Sequence, residues 1–261
     1  MIAIIPELND LNNCVEFAEK NSLGFEYNDF FKPYILDDKD ELKRRVNIYK
    51  SLNRPYNVDT LHGVFYDMIH FSLDPKIRNH SIYRMQQSIE VAEELGCKGV
   101  IFHTNISPSF AHSEWYTNEW LGKSILALKK LFKCCSNVEI YFENMLDDSP
   151  EYLFQLSESM RDEKRFGVCL DIAHLMVMSR SPELWFQKLA PFIKHFHFND
   201  NNLVYDEHMT MGKGRIDWKH ISSLLKQYNL FNENVSKLIE VRGLQSTIES
   251  LKYVRENNLF L

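Results

Sequence analysis

The sequence predicts a single α/β barrel of eight parallel strands, a (β/α)8 or TIM barrel, over residues 1–261. Three observations predict it. Short apolar runs alternate with amphipathic helical runs eight times, with no composition shift or linker between them. The length of 261 residues suits one such barrel, and 44% hydrophobic residues supply a large core. Residues that bind divalent metals also recur at the ends of the apolar runs, in TLHG, VIFHT, IYFEN, GVCLDIAH, KHFHFND and KLIEV. A parallel barrel delivers its strand ends to one rim, which is where chemistry collects.

The elements follow in order. MIAII reads as the first strand and LNNCVEFAEKN as an amphipathic helix. GFEYND is the second strand, and DDKDELKRRVNIYKSL a helix with an acidic first turn and a basic body, which suits the helix dipole. NVDTLHGVF and SIYRMQQSIEVAEELGC form the third unit, GVIFHT and NEWLGKSILALKKLFKCC the fourth. VEIYFEN precedes SPEYLFQLSESMRD, and FGVCLDIAHL precedes SPELWFQKLAP. Both of these helices open with Ser-Pro-Glu, an N-cap followed by a proline at N1 and an early acid. IKHFHFND, a longer irregular stretch and DWKHISSLLKQY make the seventh unit. VSKLIEVRG and LQSTIESLKYVREN make the last. An open doubly wound sheet is the alternative, weakened because no Gly-rich nucleotide fingerprint follows the first strand.

A net charge of −6 gives no broad basic field, so non-specific attraction to nucleic acid is not expected, although a local patch is compatible with it. No apolar stretch approaches membrane length, and MIAIIP has neither a basic flank nor a cleavage site, so no membrane partner and no secretion are expected. Five cysteines form no CxxC pair. Cys134 and Cys135 read as buried thiols at a helix end, and a reducing cytoplasm is the simplest location.

Nine residues form the candidate metal set: His62, His103, Glu143, Asp171, His174, His197, Asp206, His208 and Glu240. Mixed His and carboxylate ligation suits Zn, Mn, Fe or Co and argues against a closed cysteine site. Asp171-x-x-His174 lets a strand end and the following turn converge, and Asp206-x-His208 offers two ligands from one loop. Glu240 and Arg242 share a face, as do His195 and His197, with His195 one layer deeper. A single strand-end His is more often structural, and His70, His80, His112 and His220 fall outside the pattern. His195 is expected to support a neighbour, and Asp200 to stabilise the turn after strand seven. Nine coincidences at strand ends are another matter, so the array is read as functional.

With GVCLDIAH and HFHFNDNNLVYDEHMTMGKGRIDW in place, the chain resembles, over essentially its whole length, the xylose isomerase-like barrels. That group includes endonuclease IV, the ketose 3-epimerases and sugar phosphate isomerase/epimerase-like proteins. The resemblance to endonuclease IV-type enzymes implies three metals on all nine residues. The resemblance to the isomerases implies one metal on Glu143, Asp171, His197 and Glu240, with the remaining histidines on substrate. One to three ions per chain are therefore expected. Two departures matter. The loop FFKPYILDDKD carries one Lys ahead of several acids, which would repel a phosphate backbone. Leu203 and Ser149 stand where ketose epimerases carry Arg and Glu, which argues against a strict free-ketose 3-epimerase.

The expected function is a divalent-metal-dependent isomerase or epimerase acting on a small carbohydrate: a sugar, polyol or sugar phosphate. Glu143 and Glu240 would exchange the proton and His174 would orient a hydroxyl. Arg242, Lys213 and Arg215 are candidates for an anionic substrate group, with Trp115, Trp120, Phe65 and Tyr66 as candidate walls. The alternative is a multinuclear zinc phosphoester hydrolase. A binding barrel without activity is disfavoured by the intact ligand set. Oligomeric state is left open.

Overall fold

The computed structural model describes residues 1–260. Eight strands, β1 (Ile2–Ile4), β2 (Gly24–Tyr27), β3 (Thr60–His62), β4 (Gly99–His103), β5 (Glu139–Glu143), β6 (Phe166–Asp171), β7 (Ile193–Phe198) and β8 (Ser236–Ile239), pair in sequence order. All pairings are parallel, and β8 returns to β1 through Ala3 opposite Leu238, which closes the barrel and removes the open-sheet alternative. The principal helices between and after the strands are Leu11–Asn21, Lys39–Ser51, Pro75–Glu94, Glu114–Cys134, Glu151–Ser159, Pro182–Leu189, Trp218–Gln227 and Leu244–Glu256. Short helices at Pro33–Asp37, Pro108–Ala111 and Ile172–Met178 sit in the loops after β2, β4 and β6.

Helix starts are where the sequence expectations need correction. The third helix begins at Pro75, not Ser81, because Asp74 caps it by accepting from Lys76 N at 2.7 Å and Pro75 supplies N1. The fourth begins at Glu114 rather than Asn118. Ser181 is an N-cap residue but makes no side-chain capping bond, and the helix expected from Ser149 starts at Glu151, with Ser149 Oγ accepting from Glu151 N. Cys134 is exposed and only Cys135 is buried, because the pair straddles the helix end. All five thiols are free, and no helix among the described residues is long and apolar enough to cross a membrane.

The main apolar core lies between strands and helices, around Trp120, Trp185, Phe186 and Phe196. The barrel interior differs. Ile101, Tyr141 and Cys169 form a small separate cluster there, and the ring of Tyr141 covers Gly99, whose missing Cβ would lie 2.5 Å from it. Around them the interior is polar: Glu26, Thr60, His195 and Ser236 are all buried. Buried polar groups are mostly partnered, and each of these residues has at least one partner. Thr60 Oγ1 donates to Glu26 at 2.8 Å, and His195 Nδ1 shares a 2.6 Å hydrogen bond with Ser236 Oγ. This layer is the floor of the rim.

His70 is a separate buried histidine, 2.9 Å from Ser124 Oγ through Nε2, and burial pushes its pKa down to about 3. The folded value lies below the ordinary 6.5, so the unfolded chain binds the extra proton. The folded state therefore loses stability as pH falls through about 6.5 toward about 3. By pH 5 the loss from this residue is about 2 kcal/mol. Unfolding free energies from denaturant titration at pH 7.5 and pH 5 should converge by that amount in His70→Gln relative to the parent. An equal acid loss in both proteins would show that His70 does not carry it.

Candidate metal centre

The rim is built by strand ends. His62, His103, Glu143 and Asp171 are the last residues of β3, β4, β5 and β6, His197 is next to last in β7, and Glu240 directly follows β8. Parallel register sets His103 beside Glu143 and Asp171 beside His197. The nine candidate ligands come together in three groups whose ligand atoms lie within 4.8 Å of one another: His62, His103 and Glu143; Glu143, Asp171, His197 and Glu240; and His174, Asp206 and His208; His62, His197 and Glu240 also lie within that distance, so the first two groups overlap. Glu143 belongs to two groups. Its Oε2 lies 3.2 Å from His103 Nε2 and 3.6 Å from His62 Nε2, and its Oε1 lies 3.2 Å from His197 Nδ1.

Local hydrogen bonds aim the ligands. Asp171 Oδ1 accepts from His174 N at 2.6 Å, so the cap of the helix Ile172–Met178 also fixes the Asp171-x-x-His174 spacing. His62 Nδ1 lies 3.0 Å from Gly63 O, His174 Nδ1 2.8 Å from Asn144 O and His208 Nδ1 3.1 Å from Glu240 O. A carbonyl only accepts, so each of these Nδ1 atoms carries the proton and leaves Nε2 free as a ligand. Asp206 Oδ2 then lies 3.3 Å from His174 Nε2 and 3.1 Å from His208 Nε2.

Three contributors escaped the sequence reading. Asn144 ties β5 to β6, its Nδ2 donating to Asp171 O and its Oδ1 accepting from Asp171 N, both at 2.9 Å. Asn199 Nδ2 donates to Asp171 Oδ2 at 3.4 Å. Glu26, fully buried on β2, faces His197 Nε2 at 3.2 Å and His195 Nε2 at 3.1 Å. The signal available for Glu26 was a carboxylate inside an apolar strand, GFEY.

Buried polar atoms without hydrogen-bond partners test whether a cation fits. Both carboxylate oxygens of Glu143, His197 Nδ1, Glu240 Oε2 and His103 Nδ1 are in that state. Such atoms are costly unless something compensates them. Electrostatics agree. Burial works to lower the pKa of His62, His174 and His197, yet it is outweighed and all three are raised, by facing carboxylates at His62 and His174 and by Cys169 together with the carboxylates at His197. His208 rises to about 9 for the same reason, while burial wins at His103 and lowers it. Burial pushes Asp171 up to about 7, and Glu143 is drawn well below its ordinary range because His197 and His103 outweigh its burial. Protons on imidazoles thus stand where a divalent cation would, and metal binding would release them. The donor set fits Zn, Mn, Fe or Co.

The irregular stretch after β7 depends on Asp200. Its carboxylate accepts from Gly212 N, Ile216 N and Trp218 Nε1 at 2.8, 3.2 and 3.0 Å, and Gly214 is packed so closely that a Cβ would overlap it. Asp200 also pairs with Met209 in an antiparallel bridge, next to His208, whose φ of 49° is left-handed. Asp200→Ala strands four donors, Asn201 N being the fourth at 3.0 Å, and should cost about 3–5 kcal/mol. It should also loosen Asp206 and His208, read as loss of one bound ion by elemental analysis. Full metal content with unchanged unfolding would refute this.

The ligands open onto a cavity of about 530 Å³ whose lining includes Phe31, Lys32, Phe65, Tyr66 and Arg242. Phe65 and Tyr66 are therefore walls, whereas Trp120 is buried and donates Nε1–H to Thr104 O, and Trp115 lines a different groove. Lys213 and Arg215 line no part of this cavity. Lys213 is exposed and borders a separate groove against the helix Leu244–Glu256, because the turn around Asp200 carries it outward. His195 sits beneath the ligands as expected, and His220 is on the surface, paired with Glu183 at 2.8 Å.

Comparison with known proteins fits this architecture. The uncharacterized protein MJ1311 of Methanocaldococcus jannaschii is 25% identical over 224 residues, covering 82% of this chain and 74% of its own. The solved structure of a D-tagatose 3-epimerase-like protein superposes with a TM-score of 0.75 at 21% identity, over 98% of this chain and 96% of the other. The TTHB071 protein from Thermus thermophilus, soaked with ZnCl2, gives a TM-score of 0.71 at 24% identity with the same coverages. An endonuclease IV and further sugar epimerases share the fold at lower identity. The family model for the xylose isomerase-like TIM barrel matches residues 13–257, and the chain belongs to that family.

Proposed function

We propose that this chain is a metal-dependent phosphoester hydrolase that acts on a small substrate through a multinuclear centre. The carrying observation is the third group, in which Asp206 joins His174 and His208 outside the central four residues. An isomerase with a single ion has no need of that group. This reverses the preference drawn from sequence, where the same residues were undivided between metal and substrate.

His62, His103 and Glu143 would hold one ion, Glu143, Asp171, His197 and Glu240 a second, and His174, Asp206 and His208 a third. Bound ions supply Lewis acidity at phosphoryl oxygens and activation of the attacking water. Glu143 keeps the first two positions in fixed relation, because one carboxylate faces both. His174 and His208 are held on backbone carbonyls, so the third position is fixed before substrate arrives. The structural neighbour soaked with ZnCl2 makes zinc the first ion to test.

The central group by itself would serve the second reading, an isomerase or epimerase of a sugar, polyol or sugar phosphate, with Glu143 and Glu240 as the proton-exchanging pair. Metal counting separates the two. Protein purified without chelator should carry about two to three ions per chain for the hydrolase and about one for the isomerase. Phosphate release from a panel of sugar phosphates and nucleotides supports the first reading. Exchange of solvent deuterium into a sugar with one ion bound overturns it.

A further inference from the structure

We propose that Lys32 and Arg242 form a second anion subsite, so that the substrate carries another phosphate or carboxylate besides the phosphoester that meets the metal ligands. Both line the cavity, Lys32 from the loop after β2 and Arg242 from the loop after β8. Among the described residues neither side chain makes an ion pair or hydrogen bond. Lys32 rests over the rings of Phe31 and Tyr34, with Nζ 5.5 and 5.9 Å from their centroids. Both side chains are exposed and unpaired, and ions at the metal ligands would repel them, a repulsion that an anion lying between would relieve.

The acids of the same loop are engaged elsewhere. Asp37 forms a bidentate pair with Arg84 at 2.6 and 2.7 Å, and Asp38 Oδ1 caps the helix Lys39–Ser51 by accepting from Asp40 N and Glu41 N at 3.1 Å. The net acidity of FFKPYILDDKD therefore does not describe what it presents to a substrate, since its one charged residue in the cavity lining is Lys32. Glu7 also lines the cavity, but its Oε1 is taken by Gly243 N at 2.8 Å.

From Lys32 to the metal ligands runs an aromatic wall. Phe31 and Phe65 have ring centroids 4.8 Å apart, Phe65 and Tyr66 4.1 Å, and Phe65 lies 5.0 Å from both His62 and His103. A sugar ring or base lying on that wall would reach the first metal group at one end and Lys32 at the other, with Arg242 on the same cavity lining. The subsite deepens the phosphoester reading and rests on it for the identity of the group at the metals.

Equilibrium binding to zinc-loaded protein, read by competitive displacement before any turnover accumulates, tests the subsite. Fructose bisphosphate and thymidine bisphosphate are each compared with their monophosphate. At least one bisphosphate should bind about tenfold tighter or more, as one charge-assisted bond implies. K32A/R242A should abolish that preference while leaving the metal content and the monophosphate affinity within about twofold. No preference in either pair, or one that survives the double substitution, overturns the subsite. Absence of phosphate release with the preference intact would instead overturn only the hydrolase reading.

Discussion

Glu143→Gln is expected to lower turnover by at least about 10³-fold, because it withdraws several kcal/mol of charge stabilisation at about 1.4 kcal/mol per tenfold. The carboxylate is fully buried and faces His62, His103, His174 and His197 at 3.6, 3.2, 3.4 and 3.2 Å. Glutamine keeps the volume, so the barrel should fold, but it removes the negative charge shared by two groups of ligands. Elemental analysis should then find at least one ion fewer per chain, with an unchanged far-UV spectrum. A variant with full metal and turnover within about tenfold of the parent would remove Glu143 from its assigned place.

Glu26→Gln is expected to weaken metal affinity about 10–100-fold although residue 26 touches no proposed ion position, the usual cost of disturbing a group behind a ligand histidine. Oε1 faces His197 Nε2, while Oε2 faces His195 Nε2 and accepts from Thr60 Oγ1. The carboxylate therefore favours a proton on His197 Nε2, which leaves Nδ1 as the lone pair directed at Glu143 and Glu240. An amide has one oxygen for these demands. If its NH2 meets His197, the proton moves to Nδ1 and the ligand is lost. Zinc competition with a chelator dye reads the affinity, and Glu26→Asp should recover part of it. Destabilised folding with unchanged metal affinity would make Glu26 structural only.

Most of the barrel was legible because both periodicities were clean. The first helix falls at Leu11–Asn21, the residues the amphipathic run indicates, and five ligands end or directly follow the strands that carry them. Errors came where a cap lies outside the apolar pattern, as with Asp74 and Pro75, or where neighbouring positions face opposite environments, as with Cys134 and Cys135. Among the candidate cations beside ligand motifs the sequence favoured Arg242 but gave no reason to discard Lys213. The turn gathered by Asp200 separates them, and a turn closed by hydrogen bonds to a buried carboxylate leaves little trace in hydropathy.

The sequence by itself determined the barrel and the residue types at its rim, since strand ends and local spacing are properties of neighbours along the chain. Only the tertiary structure decided how nine ligands divide into three groups, that Glu143 is common to two of them, and that Glu26 stands behind His197. The reason is closure. β2 and β7 are not adjacent in the sheet, yet Glu26 reaches His195 and His197 across the barrel interior, a contact that no spacing along the chain encodes.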